Sequence, residues 1–267
     1  MGVRLVVLAA AALALCGEAH GSESRPPNIV YFLIDDMGFA DCGFNGSSDV
    51  ATPQIDALAA RGTVFENFYV QPLCSATRAT FLTGRYPIRH GIYGALKVGS
   101  KSGLPLQERL LPQDLKAAGY STAICGKWHV GEFEEAYRPL QRGFDRQYGL
   151  WYGQIDYFTH ERGGRVDWYR NDERIDEEGY STHLIANEAV EIIRSHEREK
   201  PLFLYVPFNA VHGPFQVPAG YEQPYRNLKP RRATFAGMLA AVDEAIGSVV
   251  QALREAGMEG ETLVIFS

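Results

Sequence analysis

Cysteine is scarce in this 267-residue chain, with only Cys16, Cys42, Cys74 and Cys125 present. Positive charge is also in deficit, 26 Lys and Arg against 32 Asp and Glu, for a net charge of -6. That balance argues against nonspecific binding to nucleic acid or to an anionic membrane, and confines any handling of polyanions to a pocket. Internal repeats, coiled-coil heptads, low-complexity blocks and an 18-residue apolar run of membrane-spanning type are not found, so neither a solenoid nor a bilayer span is expected. What is present is 46% hydrophobic residues, enough to fill the core of one large α/β domain or two modest ones, and disorder is not the default.

Arg4 precedes the apolar run Leu5 to Leu15, and the small residues Ala19 and Gly21 fit a signal-peptidase site after Gly21. Residues 1–21 are therefore expected to be an export signal. The expected location is periplasmic or extracellular, with a lysosome as a further destination. Removing the leader takes away Cys16 and leaves Cys42, Cys74 and Cys125, which cannot all pair within one chain. An odd thiol in an oxidising compartment is buried, intermolecular or chemically committed.

From residue 28 onward the pattern alternates. Asn28 to Ile34 reads as a buried strand ending in Asp35-Asp36. Thr52-Pro53 opens a helix that Arg61-Gly62 closes, and Val64 to Val70 reads as another strand. Ser75 to Leu82 suits a short helix with Cys74 near its start. A helix over Leu110 to Ala118 precedes a strand over Tyr120 to Cys125. Residues 131–180 show no clean period and read as a long substrate-facing excursion. Ser181 is placed as the cap of a helix running toward Arg198, followed by a strand over Leu202 to Phe208, a helix over 234–256 and a strand over Thr262 to Phe266. Strands alternating with helices imply one α/β domain, 22–267, around a mostly parallel sheet covered on both faces.

Four groups of reactive side chains fall at the ends of expected strands or helices. Asp35 and Asp36 suit either a solvated turn or a hard cation. Cys74 at a helix start, with Arg78 one turn on, suits a buried structural cysteine or a thiolate nucleophile with an anion-binding partner. Lys127 and His129, two apart, supply charge and proton transfer if both face one side, or are a surface lysine and a core histidine. His212 beside Gly213-Pro214 is a loop histidine or joins the same crevice. Arg85 and Arg89 fit solvated surface. Different strands are expected to deliver Asp35, Asp36, Cys74, Lys127, His129 and His212 to one end of the sheet, where they can organise an oxyanion-transfer reaction.

Cys74-Ser-Ala-Thr-Arg78 with Ala79 to Arg85, and Gly119 to His129, resemble the two signatures of the formylglycine-dependent type I sulfatases, arylsulfatase B-like members especially. Ile34-Asp-Asp36, Arg142-Gly-Phe-Asp145 and Val211-His-Gly-Pro214 follow in the family's order, and the resemblance covers residues 26–267. Ala76 stands where proline is commoner. The resemblance implies an alkaline-phosphatase-like core in which a formylglycine-generating enzyme oxidises Cys74. The hydrated aldehyde would then attack sulfur, pass through a sulfate ester and release sulfate. It further implies calcium bound by Asp35, Asp36 and the residue at Cys74, with Arg78 and Lys127 positioning sulfate. His129 would deprotonate the nucleophile and His212 protonate the leaving oxygen, while Thr159 resembles a family hydroxyl position. The implied substrate is a sulfated carbohydrate or aryl sulfate. Family members continue past the equivalent of Ser267 into an Asp-Asn pair, a sulfate-binding lysine and a smaller domain, so the expectation is an N-terminal fragment, C-terminally incomplete and inactive by itself. Two other readings are a phosphate-ester or phosphonate hydrolase and a noncatalytic module that binds sulfated glycans.

Overall fold

The computed structural model describes residues 25–267, and the expected leader at 1–21 lies outside the described residues. The elements in chain order are β1 (Asn28–Leu33), α1 (Pro53–Arg61), α2 (Cys74–Thr83), α3 (Pro87–His90), α4 (Leu111–Ala117), β2 (Ser121–Cys125) and β3 (Arg146–Gly149). Four two-residue strands follow: β4 (Glu161–Arg162), β5 (Arg165–Val166), β6 (Tyr169–Arg170) and β7 (Glu173–Arg174). Then come α5 (Ser181–Arg194), β8 (Leu202–Pro207), α6 (Pro230–Glu255) and β9 (Thr262–Phe266). Seven strands share one sheet in the order β7-β6-β3-β2-β8-β1-β9. The run from β3 to β9 is parallel, and β6 and β7 extend it antiparallel.

The period-two alternation of a strand sorts the core into two layers. Val30 and Phe32 of β1, with Leu204 and Val206 of β8, pack in the layer that holds Ile185 and Ile192 of α5 and Leu239 and Ile246 of α6. Tyr31, Leu33, Phe203 and Tyr205 belong to the opposite layer, with Ala79 and Leu82 of α2 and partly buried Leu111 and Leu115 of α4. Every residue of β8 is buried, as a central parallel strand requires. Because β1, β2 and β8 run in parallel, the chain leaves all three at the same end of the sheet.

The structure departs from the sequence reading in several places. Val64 to Val70 is not a strand: its residues are exposed and make no ladder. It leaves α1 where Arg61 pairs with Glu259 at 2.8 Å and reaches α2 without a hydrogen-bonding edge, and strand propensity has no effect without a partner. Thr52 does not cap α1 with its side chain. Its Oγ1 donates to Asp56 Oδ1 at 2.9 Å, while Asp243 of α6 accepts from the Gln54 and Ile55 amides at 3.0 and 2.9 Å and does the capping from a distance. Ser181 likewise lies inside α5, and its hydroxyl accepts from Asn209 Nδ2 at 3.2 Å. The 131–180 segment is not a plain excursion, since it contributes β3, β6 and β7 to the main sheet. Finally, α6 is long and apolar enough to cross a membrane, contrary to the expectation of no such run. It packs against α1 and α5, and 67% of its apolar window is buried within the chain.

Candidate active site

The turn after β1 places Asp35 between two strand ends. Its amide donates to Ala210 O at 2.9 Å and its carbonyl accepts from the Val211 amide at 2.7 Å. After β2, Gly126 takes φ +134 and passes so close to β8 that a Cβ there would lie 2.1 Å from Pro207 O. Only glycine permits that approach, and it lets the Lys127 amide reach Pro207 O at 2.7 Å. The Lys127 side chain then turns inward, and its Nζ makes a short hydrogen bond to Asp35 Oδ2.

Arg78 completes this buried cluster from α2. The helix starts at Cys74, closes at Gly84 in the left-handed region, and buries Ser75, Ala76, Arg78, Ala79 and Leu82. Arg78 Nη1 donates to Lys127 O at 2.8 Å, and Nη2 lies 3.5 Å from Asp35 Oδ1. Arg78 is 1% exposed, Lys127 0% and Asp35 5%. Burial by itself would raise the Asp35 pKa, but Lys127 and then Arg78 outweigh it and hold the carboxyl below the usual range. Two buried cations therefore face one buried anion. Arg78 Nε and Nη2 are buried without a hydrogen-bond partner, and surplus charge with unmet donors is costly unless an anion completes it.

His129 borders the cluster in a left-handed conformation, φ +57, which is uncommon outside glycine. Its amide donates to Trp151 O at 3.1 Å, and the face of its ring is so tightly covered that a Cβ on Gly153 would lie 2.3 Å from Cε1. Burial, then neighbouring Lys127, depress its pKa to about 3, so the imidazole is neutral at physiological pH. Nε2 lies 2.8 Å from Leu96 O. A carbonyl only accepts, so Nε2 carries the proton and Nδ1 is a bare acceptor. That Nδ1 is buried and has no partner.

Asp36 and His212 form the outer part. Asp36 also has positive φ, +61, and its side chain is 61% exposed, with Oδ2 3.6 Å from His212 Nε2. His212 Nδ1 lies 2.6 Å from Gly213 O and donates to it. The loop is held by Tyr157, whose hydroxyl contacts Asn209 O and His212 O at 2.9 and 2.7 Å.

Asp35, Arg78, Lys127 and His129 are thus brought together, Cys74 starts the helix that carries Arg78, and Asp36 meets His212. Thr159 does not join them: it is exposed on a turn where its amide donates to Asp156 Oδ1 at 2.9 Å. Arg85 is not simply solvated, because it grips Glu108 with bonds of 2.9 and 2.7 Å. Arg142 supports the fold by donating to Leu104 O, Pro105 O and Glu108 O. The expected calcium ligands Asp35, Asp36 and Cys74 do not converge. Among the described residues no group of three or more His, Cys, Asp or Glu side chains can hold a metal. Asp35 is engaged by Lys127 and Arg78 while Asp36 turns outward, and roughly six to eight oxygens are needed around calcium. Among the described residues these donors alone fall short of that number.

Sequence reasoning missed Tyr157, Asp167 and Glu132. Asp167 is buried and accepts from the Trp151 and Tyr152 amides at 3.3 and 2.7 Å, holding the segment that leads to Gly153. Burial pushes its pKa up to about 7, and burial plus Asp167 does the same for Glu132. Neither residue sits in a periodic element, so no local pattern marked them.

The fold and this cluster define a class: an open α/β sheet whose strand ends carry a buried cationic cluster with donors left unpartnered among the described residues. The chain belongs to the Sulfatase family, which it matches over residues 27–267. It is 39% identical over 260 residues to arylsulfatase J of Mus musculus, covering 94% of this chain and 43% of that protein. It is 32% identical over 272 residues to N-acetylgalactosamine-6-sulfatase of Homo sapiens, covering 94% and 51%. Among solved structures, that of Ps i-CgsB in complex with k-i-k-neocarrahexaose superposes with a TM-score of 0.85 at 35% identity, covering 91% of this chain and 58% of that one. The chain spans about half the length of the curated relatives it matches.

Proposed function

We propose that this chain carries the sulfate-ester-cleaving centre of a sulfatase acting on a carbohydrate or aryl sulfate, with Cys74 as the residue converted to formylglycine. One observation carries the reading: buried Arg78 and Lys127 exceed the single buried anion Asp35, and the unpartnered Arg78 donors and His129 Nδ1 lie in the same cluster. A sulfate ester supplies the missing negative charge. The unmet donors and the bare Nδ1 fit a hydrated aldehyde at the head of α2, which when formed supplies an oxygen nucleophile and a second hydroxyl for releasing sulfate.

In this reading Arg78 and Lys127 orient the sulfate oxygens and stabilise the charge that grows on them during transfer. Asp35 fixes both cations, so little reorganisation is needed. His129 accepts a hydrogen bond at Nδ1 from a diol hydroxyl and orients it, since its neutrality keeps that nitrogen available. His212, with Nδ1–H committed to Gly213 O, can pass a proton from Nε2 to the leaving oxygen when the ring is the imidazolium, and is left as the neutral Nδ1–H form. The carbohydrate preference rests on Ps i-CgsB, whose structure holds a neocarrahexaose, and the arylsulfatase B-like placement rests on motif order. The expected partners are a formylglycine-generating enzyme and a sulfated substrate, with secretion following from the leader.

The test is to incubate aldehyde-bearing protein with an aryl sulfate and with the matching aryl phosphate. Sulfate release with little phosphate release supports the proposal. Preference for phosphate reassigns the pocket to phosphate-ester hydrolysis, and binding of a sulfated oligosaccharide without turnover reassigns it to glycan binding.

A further inference from the structure

We infer that Ser75 is a positioning residue for His129, acting through the backbone of Leu96. Ser75 directly follows Cys74 on α2 and is wholly buried. Its Oγ accepts from the Leu96 amide at 3.0 Å. The carbonyl of the same residue accepts from His129 Nε2 at 2.8 Å. Leu96 is thus fixed at both ends, between the helix that presents Cys74 and the imidazole.

The surrounding chain gives this link its importance. Residues 92–102 contain no helix or strand. Between Ile92 and Ser100, Leu96 has the one backbone amide that makes a hydrogen bond among the described residues. Its side chain packs only in part against the core layer that contains Leu82 and Trp128. The nearest other backbone tie in this stretch is one residue on, where Lys97 O accepts from the Ser100 amide at 2.9 Å. A neutral imidazole carries one N–H, and the partner of one nitrogen decides the state of the other. By fixing Leu96 O, Ser75 keeps the proton on Nε2 and leaves Nδ1 as the acceptor. The same hydroxyl ties that choice to the first turn of the helix on which the nucleophile stands. Gly153 against the ring face and Trp151 O on the His129 amide fix orientation, but neither selects a tautomer.

The consequence for turnover rests on the sulfatase reading above, whereas the tautomer itself does not. The test uses the full 267-residue chain labelled with 15N at histidine, with the His129 signal assigned from its loss in His129→Gln. In the unsubstituted protein at neutral pH, His129 is expected to be protonated at Nε2 alone. Ser75→Ala is expected to give a mixture of tautomers, and Ser75→Thr, which keeps the hydroxyl, to restore the single form. A proton on Nδ1 in the unsubstituted protein, or an unchanged tautomer in Ser75→Ala, overturns the inference. If Ser75→Ala does not fold, amide exchange decides: slow exchange at Leu96 in the unsubstituted chain together with an Nε2 proton supports it, and fast exchange at Leu96 refutes it.

Turnover supplies the separate arm. With the mass of the Cys74 peptide checked in each variant, Ser75→Ala is expected to lower kcat on the order of 10–100-fold, as loss of a supporting partner commonly does, with KM little changed and recovery in Ser75→Thr. A rise in KM at constant kcat contradicts the positioning role. Absence of any sulfate release in the unsubstituted, aldehyde-bearing protein overturns the sulfatase reading and leaves the tautomer result standing.

Discussion

The two ends of the same sheet handle charge in opposite ways. At the end where β1, β2 and β8 finish, Arg78 and Lys127 are buried around Asp35, and the Arg78 guanidinium and His129 Nδ1 have unmet hydrogen-bonding capacity. Where β2, β3 and β8 begin, a cavity of about 450 Å3 is lined by Lys116, Asp145, Arg146, His196 and Lys200. There one ion pair is half-exposed and satisfied: Lys116 Nζ lies 2.6 Å from Asp145 Oδ1, and Asp145 also accepts from the Thr122 amide at 3.0 Å. Charge held out of water with groups left over marks a site more reliably than volume does.

The sharpest way to break this comparison is to remove a cation from each end. Lys127→Met leaves Asp35 buried beside a single cation, and urea unfolding should show a loss of about 3–5 kcal/mol. Lys116→Ala, in a pair open to solvent, should cost no more than about 1 kcal/mol. Similar losses from the two substitutions would erase the distinction.

The next effect depends on pH. The folded pKa of Asp167 is raised to about 7, against roughly 4 in the unfolded chain. The folded protein therefore holds this proton between those values while the unfolded chain has lost it. The stability Asp167 contributes is complete below about pH 4 and is lost as pH rises through 7. Asp167→Asn should remove that dependence, so its stability relative to the unsubstituted protein should rise on the order of 2–4 kcal/mol between pH 4 and pH 8. Denaturant midpoints across that range are the check, and parallel pH profiles would show that Asp167 is ionised throughout.

A smaller effect is expected at the hinge between the sheet and His212. Tyr157→Phe removes the hydroxyl shared by Asn209 O and His212 O and should cost about 1–2 kcal/mol. Because the His212 loop loosens while Arg78 and Lys127 are untouched, turnover should fall through kcat more than through KM. An unchanged kcat would make Tyr157 a fold residue alone.

The buried strands could be read from sequence because β1 and β8 are continuous apolar runs, and parallel order followed from the helices between them. Of the six residues expected at one end of the sheet, Asp35, Lys127 and His129 lie in one cluster with Arg78 of α2, Asp36 and His212 pair outside it, and Cys74 heads α2. Val64 to Val70 misled because its apolar residues have strand propensity but no partner edge. Asp243 capping α1 was hidden by its distance along the chain. Asp167, Glu132 and the Leu96 carbonyl were illegible because their roles depend on irregular backbone that no period describes. The signatures around Cys74 and Lys127 were informative for the opposite reason, since each is a short local segment whose geometry one strand end or one helix start fixes.

The most direct measurement is the mass of the tryptic peptide from Gly62 to Arg78 in protein isolated from its native source, together with its reactivity toward an aldehyde-specific hydrazide. An aldehyde is expected in place of the Cys74 thiol. A peptide that keeps its thiol in processed protein would contradict the proposed chemistry.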